Sequence, residues 1–260
     1  MRPRFWLSFV APLVLGLILV AGWFFVTAPG TIPPTTMPSP GAVARELYIG
    51  LIAQADLWSY ISTTLVEALT GCIVGFVVAL PLAVLIYRSR VISAAVLPFL
   101  GATQAIPAIA LAPLLVLWVG YGLKSVVALC ALMVFFPILV SSVVGFRHID
   151  KDILAAAQVD GAGSFALLVD MEIPLALHAI LAGVRNGFTL SFTGAVVGEM
   201  VMGGSGLASL LTSQRDALDT AGMFATIIIL ALLAAAVYTL VSIAERHWSI
   251  LNSPLPRGGS

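Results

Sequence analysis

Long apolar runs with almost no charge constrain this 260-residue chain more than any other feature. Residues 5–26, 61–87, 91–119, 125–146, 179–202 and 222–244 carry only three charged side chains among them, Glu67, Arg185 and Glu199. About 20 apolar residues make a helix long enough to cross a bilayer, and in lipid the helix keeps every backbone polar group satisfied. Only 9% of the chain is charged, 60% is apolar and the mean hydropathy is +1.10, whereas soluble domains carry roughly 25% charged residues. A water-soluble globule is excluded, and so is a disordered chain, which needs high charge and low hydrophobicity. The expected fold class is an all-α integral membrane protein with six transmembrane helices.

Charge placement sets the orientation. Twelve basic and twelve acidic residues cancel, so nothing points to nucleic acid. Six spans put both termini on one side, and the excess of Lys and Arg marks the cytoplasmic side. With the termini inside, Arg2, Arg4, Arg88, Arg90, Arg147, Lys151, Arg246 and Arg257 are cytoplasmic, against Arg45, Lys124 and Arg215 outside. The first run is longer than the roughly 7–15 residues of a signal-peptide core. It reads as a retained anchor, although Val26-Thr27-Ala28 resembles a cleavage site. The chain then divides into an N-terminal span (1–27), an external linker (28–59), a five-helix core (60–250) with a cytoplasmic loop (147–178), and a cytoplasmic tail (251–260). Within the linker, 39–54 reads as a short amphipathic helix at the outer membrane surface. Ser39 caps it, Pro40 sits in its first turn, and Val43, Leu47 and Leu51 follow at four-residue spacing.

The loop between the fourth and fifth spans is the most informative segment. Asp150 or Asp152 caps a helix through residues 153–158, and Gly161 and Gly163 stop it. Ser164 starts a second helix, 165–173, which Pro174 is expected to end. Such a pair is too apolar to lie bare in water; it either meets another protein or folds back over its own bundle. Asp160 falls at a helix C-terminus, where its charge opposes the macrodipole by roughly 0.3–1 kcal/mol. A donor from a partner or from water would offset it.

Pro107 and Pro113 interrupt the third span. Irregular backbone at membrane depth is tolerated only inside protein or beside a wet cavity, so 104–113 is a candidate translocation path, with packing kinks as the alternative. Thr103 and Gln104 offer polar contacts there, either to solute or to neighbouring helices. Arg185 and Glu199 are about 21 Å apart along one helix and cannot pair; Arg185 is placed to snorkel, and Glu199 can face a central cavity. Gly71 and Gly75 serve helix packing or dimer contact. Cys72 and Cys130 lie in apolar runs, which argues against a disulfide framework or zinc cluster. His148, His178 and His247 have no metal-ligand spacing. No phosphate-binding loop for ATP occurs.

Ala155-Ala156-Ala157-Gln158-Val159-Asp160-Gly161, nine residues, and then Met171-Glu172-Ile173-Pro174 resemble the EAA loop of binding-protein-dependent ABC importer permeases. The alanines, glycine, nine-residue gap and proline match; Ala155 stands where the family has Glu. Gln104 to Pro107, Ala110 to Leu115, Trp118 to Gly122 and Gly203 to Leu207 resemble the nitrate/sulfonate/taurine branch. The resemblance covers about residues 60–250. It implies a type I ABC importer permease in the bacterial inner membrane. The expected partners are a second copy of the chain, an ATP-binding subunit that carries ATP and Mg, and an extracytoplasmic solute-binding protein. This chain would hold no cofactor and be no enzyme. Ala155, Ala156, Ala157, Asp160, Gly161 and Pro174 would couple it to the ATPase; Thr103, Gln104, Pro107, Pro113 and Glu199 would line the path. Nitrate, an alkanesulfonate or taurine leads as cargo, with a pyrimidine thiamine precursor or riboflavin as the alternative. An ion-coupled secondary carrier is the rival of a different class, but it would show related halves and paired intramembrane charges.

Overall fold

A computed structural model describes residues 3–28, 30, 32–104 and 106–251, leaving aside the side chains of 3–10, 12, 13, 100–104 and 244–251. Arg2, Arg257 and the tail from residue 252 lie outside the described residues. Every regular element among those described is helical. The order is α1 (Pro3–Thr27), α2 (Pro40–Tyr48) with a π-helical turn Ile49–Ala53, α3 (Leu57–Arg88), α4 (Arg90–Gln104), α5 (Ala108–Val119) and α6 (Leu123–Arg147). Then come α7 (Lys151–Val159), α8 (Ser164–Ala166) running through a π-helical turn Leu167–Glu172 into α9 (Ile173–Met202), α10 (Leu207–Asp216) and α11 (Thr220–Leu251). Four stretches are long and apolar enough to cross a membrane: Leu57–Arg88, Leu123–Arg147, Ser164–Met202 and Thr220–Ile243.

The third expected span is two helices rather than one. Pro107 is extended at φ −60°, ψ 124° and forms the N-terminal boundary of α5, since a proline also pushes the residue before it out of helical backbone. Pro113 does not break the chain: it stays inside α5, as Pro98 stays inside α4. Each forfeits one ladder hydrogen bond, and the rest of the helix persists. Pro174 likewise does not end a helix. It sits in the first turn of α9, and residues 164–202 form one continuous rod. In the π-helical turn the ladder is offset by a residue, so that Ile173 N–H donates to the Leu168 carbonyl. Pro174, which has no N–H, then follows at no cost in hydrogen bonding.

Helix α6 lies between α3 and α9, and the three form the centre of the bundle. Lipid tails are as apolar as Leu, so helices in a bilayer associate by close fit and hydrogen bonds, with small residues at the seams. A Cβ at Gly71 would collide with Cys130 Cβ, and one at Gly75 would lie 2.9 Å from the Ala131 carbonyl oxygen. On the other side, Gly183 would meet Ser141 Cβ at 2.8 Å, and Gly145 would meet Ala179 Cβ at 2.6 Å. Ser191 Oγ donates to the Ala68 carbonyl at 2.6 Å, tying α9 to α3. Gly71 and Gly75 therefore make an intrachain seam.

The linker helix forms as expected. Ser39 Oγ accepts from Ala42 N–H at 3.2 Å, and Pro40 occupies the first turn. It does more than lie on a surface, however. Val43 is buried and α2 packs on α11, while Leu47 and Leu51 join Leu57, Ile61, Leu207 and Ile229 in a second core. Trp23 Nε1 donates to the Pro38 carbonyl at 3.0 Å and Thr220 Oγ1 to the Pro34 carbonyl at 2.8 Å, which straps the linker to α1 and α11.

Overpacking a tight seam costs about 1–3 kcal/mol. Gly71→Ala should lower the melting temperature of the purified protein, whereas Gly41→Ala, with nothing within 4 Å of its added methyl, should leave it unchanged. Thermal unfolding in detergent makes the comparison.

Candidate functional site

The EAA-like segment folds as an elbow. Asp150 caps α7, its Oδ1 accepting from Asp152 N–H at 2.9 Å. At the other end Ala162 N–H reaches the Ala157 carbonyl at 3.0 Å and Gly161 N–H the Gln158 carbonyl at 3.1 Å. This pair of bonds is the Schellman motif, which needs a left-handed residue at its corner; Gly161 supplies it at φ 92°. Helix α7 has no buried residue. Ala155, Ala156 and Asp160 are exposed and Ala157 is half-buried. Val159 and Phe165 are 88% and 78% exposed, so large apolar side chains project from the elbow.

Two residues that had been given no coupling role from sequence hold the elbow to the bundle. Arg88, the last residue of α3, places Nη2 2.6 Å from Glu172 Oε2 and donates to the Ser164 carbonyl at 3.1 Å. Glu172 is buried while Arg88 is exposed at the residue level, its side chain one-third accessible, so the carboxylate end of this ion pair is sheltered and couples the end of α3 to the start of α9. Beside it Tyr87 stacks on Phe146 of α6, ring centroids 5.3 Å apart, and Arg147 donates to Ser93 Oγ at 2.7 Å. The signal was present in the sequence: Glu172 is an acid set in an apolar stretch just before Pro174.

A cavity of about 700 Å³ opens between α5, α6 and α9. Pro107 lines it, with Leu111, Leu132, Met133 and Phe136 among the apolar walls. Ser141 and Asn186 also line it, and neither had been assigned to the path from sequence. Pro113 is exposed on α5 and lies elsewhere. The side chains of Thr103 and Gln104 lie outside the described residues.

Glu199 also lies elsewhere, at the far end of α9 from the elbow. Only 1% exposed, it caps another helix. Its Oε2 accepts from Ala208 N–H at 2.7 Å and Ser209 N–H at 3.3 Å, and its Oε1 from Thr64 Oγ1 at 2.6 Å. Thr64 Oγ1 in turn accepts from Leu207 N–H at 2.9 Å. Free N–H groups and the positive dipole end of α10 suit a carboxylate. A Cβ at Gly206 would strike that carboxylate, so the backbone wraps the acid there, while Gly203 is set by its left-handed φ of 72°. Glu67, one turn beyond Thr64 on α3, is equally buried, and its Oε2 has no partner among the described residues.

Comparison with known proteins bears on this arrangement. The profile of the family described as "Binding-protein-dependent transport system inner membrane component" matches residues 71–250. The riboflavin transport system permease protein RibX of Chloroflexus aurantiacus is 39% identical, covering 93% of this chain and 89% of its own. SsuC of Escherichia coli, named for aliphatic sulfonates transport, is 29% identical over 94% of this chain and 92% of its own. A solved inward-facing MetNI methionine ABC transporter shares the fold at TM-score 0.63 and 18% identity, over 74% of this chain and 95% of that one.

Removing Arg88 leaves the buried Glu172 carboxylate without its partner, a loss of about 1–3 kcal/mol at most, and toward the lower end because solvent screens the arginine. Arg88→Ala should therefore loosen the elbow and speed proteolysis between α7 and α9, and Arg88→Ala/Glu172→Ala should be milder than the sum of the singles. Glu199→Ala, which strands the donors of α10, should cost about 1–3 kcal/mol and expose the 203–219 segment to protease, read by limited digestion and melting.

Proposed function

The chain belongs to the family of binding-protein-dependent transport system inner membrane components, and from that premise we propose that two copies of it form a solute pore driven through the elbow. It is an ABC importer permease, a multi-pass transport subunit and not an enzyme, with ATP hydrolysis on a separate subunit. In this reading α1, α3, the α4–α5 pair, α6, α9 and α11 are the six spans, and both termini face the cytoplasm of a bacterial cell. Helix α7 seats in a groove of the ATPase, which carries ATP and Mg. Ala155, Ala156 and Ala157 allow close approach, Gly161 sets the corner, Asp160 offers a charge at the rim, and Pro174 marks where the rod begins. A solute-binding protein delivers cargo at the end of the bundle that holds α10.

One observation carries the coupling role: an exposed apolar elbow is bolted by the Arg88–Glu172 pair to two helices that traverse the whole bundle. A projection with no buried residue is built to be covered by something else. A push on it is then passed on as rigid-body motion rather than absorbed by a flexible loop.

The path for solute follows the cavity between α5, α6 and α9, with Pro107 at its edge. Its volume falls in the range of about 300–1,000 Å³ usual for small-molecule sites. None of the described lining residues is charged. An uncharged ring system, riboflavin or a pyrimidine thiamine precursor, suits such walls best, and the 39% identity to a permease named for riboflavin supports that choice. A nitrate or alkanesulfonate anion, or zwitterionic taurine, is the second reading, supported by the 29% identity to SsuC.

The membrane complex, purified with its ATPase and binding protein in proteoliposomes, should hydrolyse ATP faster when a cognate solute is present. Deleting residues 153–163 should abolish co-purification of the ATPase. An ATPase that still assembles stoichiometrically with the deleted form would refute the coupling assignment.

A further inference from the structure

The cavity has one polar corner. Among its described lining residues, Ser141 on α6 and Asn186 on α9 bring the uncharged hydrogen-bonding side chains into an otherwise apolar wall. Their positions are linked by packing. Gly183 lies so close to α6 that a Cβ there would be 2.8 Å from Ser141 Cβ. Asn186 follows Gly183 by three residues, about 4.5 Å along the axis and on the same face. The hydroxyl and the carboxamide therefore sit about one helical turn apart and border the same space.

Neither group has a hydrogen-bond partner among the described residues. Asn186 is exposed and Ser141 half-buried, so both are open to the cavity, and a solute that displaces water there must replace their hydrogen bonds or forfeit them. A carboxamide presents an acceptor oxygen and a donor nitrogen side by side. Its complement is an edge with a carbonyl and an N–H next to each other, as in an imide, a lactam or an aminopyrimidine. Phe136 and Pro107 flank the same space and offer flat apolar surfaces to such a ring. A carboxylate or sulfonate would instead call for a cation, and Arg185, the neighbour of Asn186 in sequence, is not among the lining residues.

We propose that Asn186, assisted by Ser141, reads the amide-type edge of an uncharged planar solute as it passes through the cavity, making it a specificity-determining residue of the pore. This rests on the transport reading above and adds to it the chemical feature by which the pore itself, apart from the binding protein, selects cargo.

The test uses the detergent-purified permease–ATPase assembly without binding protein, so that only the pore discriminates. Riboflavin, its N3-methyl analogue and taurine are compared by equilibrium dialysis. Loss of one neutral hydrogen bond is worth about 0.5–1.5 kcal/mol, so wild type should bind riboflavin roughly 2- to 12-fold more tightly than the N3-methyl compound. Asn186→Leu should bring that ratio to about one by weakening riboflavin alone, and Ser141→Ala should reduce it in part. Flavin binding with an unchanged ratio in Asn186→Leu overturns the role of Asn186 while upholding the solute class. Absence of flavin binding, with or without taurine binding, overturns both. If Asn186→Leu separates the two permease copies on size exclusion without altering the ratio, the residue joins subunits and the proposal fails.

Discussion

Close approach of helix backbones, with no hydrophobic force from solvent to drive it, is the constraint on which this molecule depends. Inside a bilayer a Leu gains nothing by leaving lipid for protein, so α3, α6 and α9 hold together by fit and by a few buried hydrogen bonds. Gly71 and Gly75 set one seam, Gly145 and Gly183 the other, and Ser191 crosses between α9 and α3. Everything else is hung on that three-helix centre. The cavity exists because α5 is cut free at Pro107 and packs on α6 and α9 as a short separate piece. The Glu199 cap and the Arg88–Glu172 pair occupy opposite ends of the same rods.

The two acidic residues do related work by different means. Glu172 is neutralised by a guanidinium and locks the elbow to α3; Glu199 is satisfied by backbone N–H groups and a hydroxyl and locks α10 to α9. Intramembrane carboxylates are expensive and are ordinarily taken as marks of a pathway. Here the fully buried Glu199 serves a structural purpose. The reason is local: a carboxylate at a helix N-terminus meets several donors at once and no competing water.

Much of this was legible in the sequence. The spans at 61–87, 125–146 and 222–244 fall inside α3, α6 and α11, because nearly uncharged runs closed by arginine or glutamate leave little choice of length. The linker helix, its Ser39 cap and the Gly161 corner were also readable, since capping chemistry is local. What was not legible depends on neighbours in space. Pro107, Pro113 and Pro174 look alike in sequence, yet only Pro107 stands outside a helix, at the start of α5; the π-helical turn before Pro174 is a property of the whole rod. Asn186 and Ser141 are far apart in sequence and meet only because Gly183 lets α9 settle against α6. Glu199 reads as a pathway residue until the glycines that follow it fold back around it.

The rod formed by residues 164–202 carries the elbow at one end and the Glu199 clasp on α10 at the other, and it is gripped near its middle at Gly183 and Gly187. Thirty-nine residues at about 1.5 Å each give a beam of roughly 58 Å. It also meets α6 at Ala179, Gly194 and Gly198, so the beam is clamped along its length rather than pivoted at one point. The two faces it joins are thereby kept at a set spacing, as by a girder, with no relay of side chains between them.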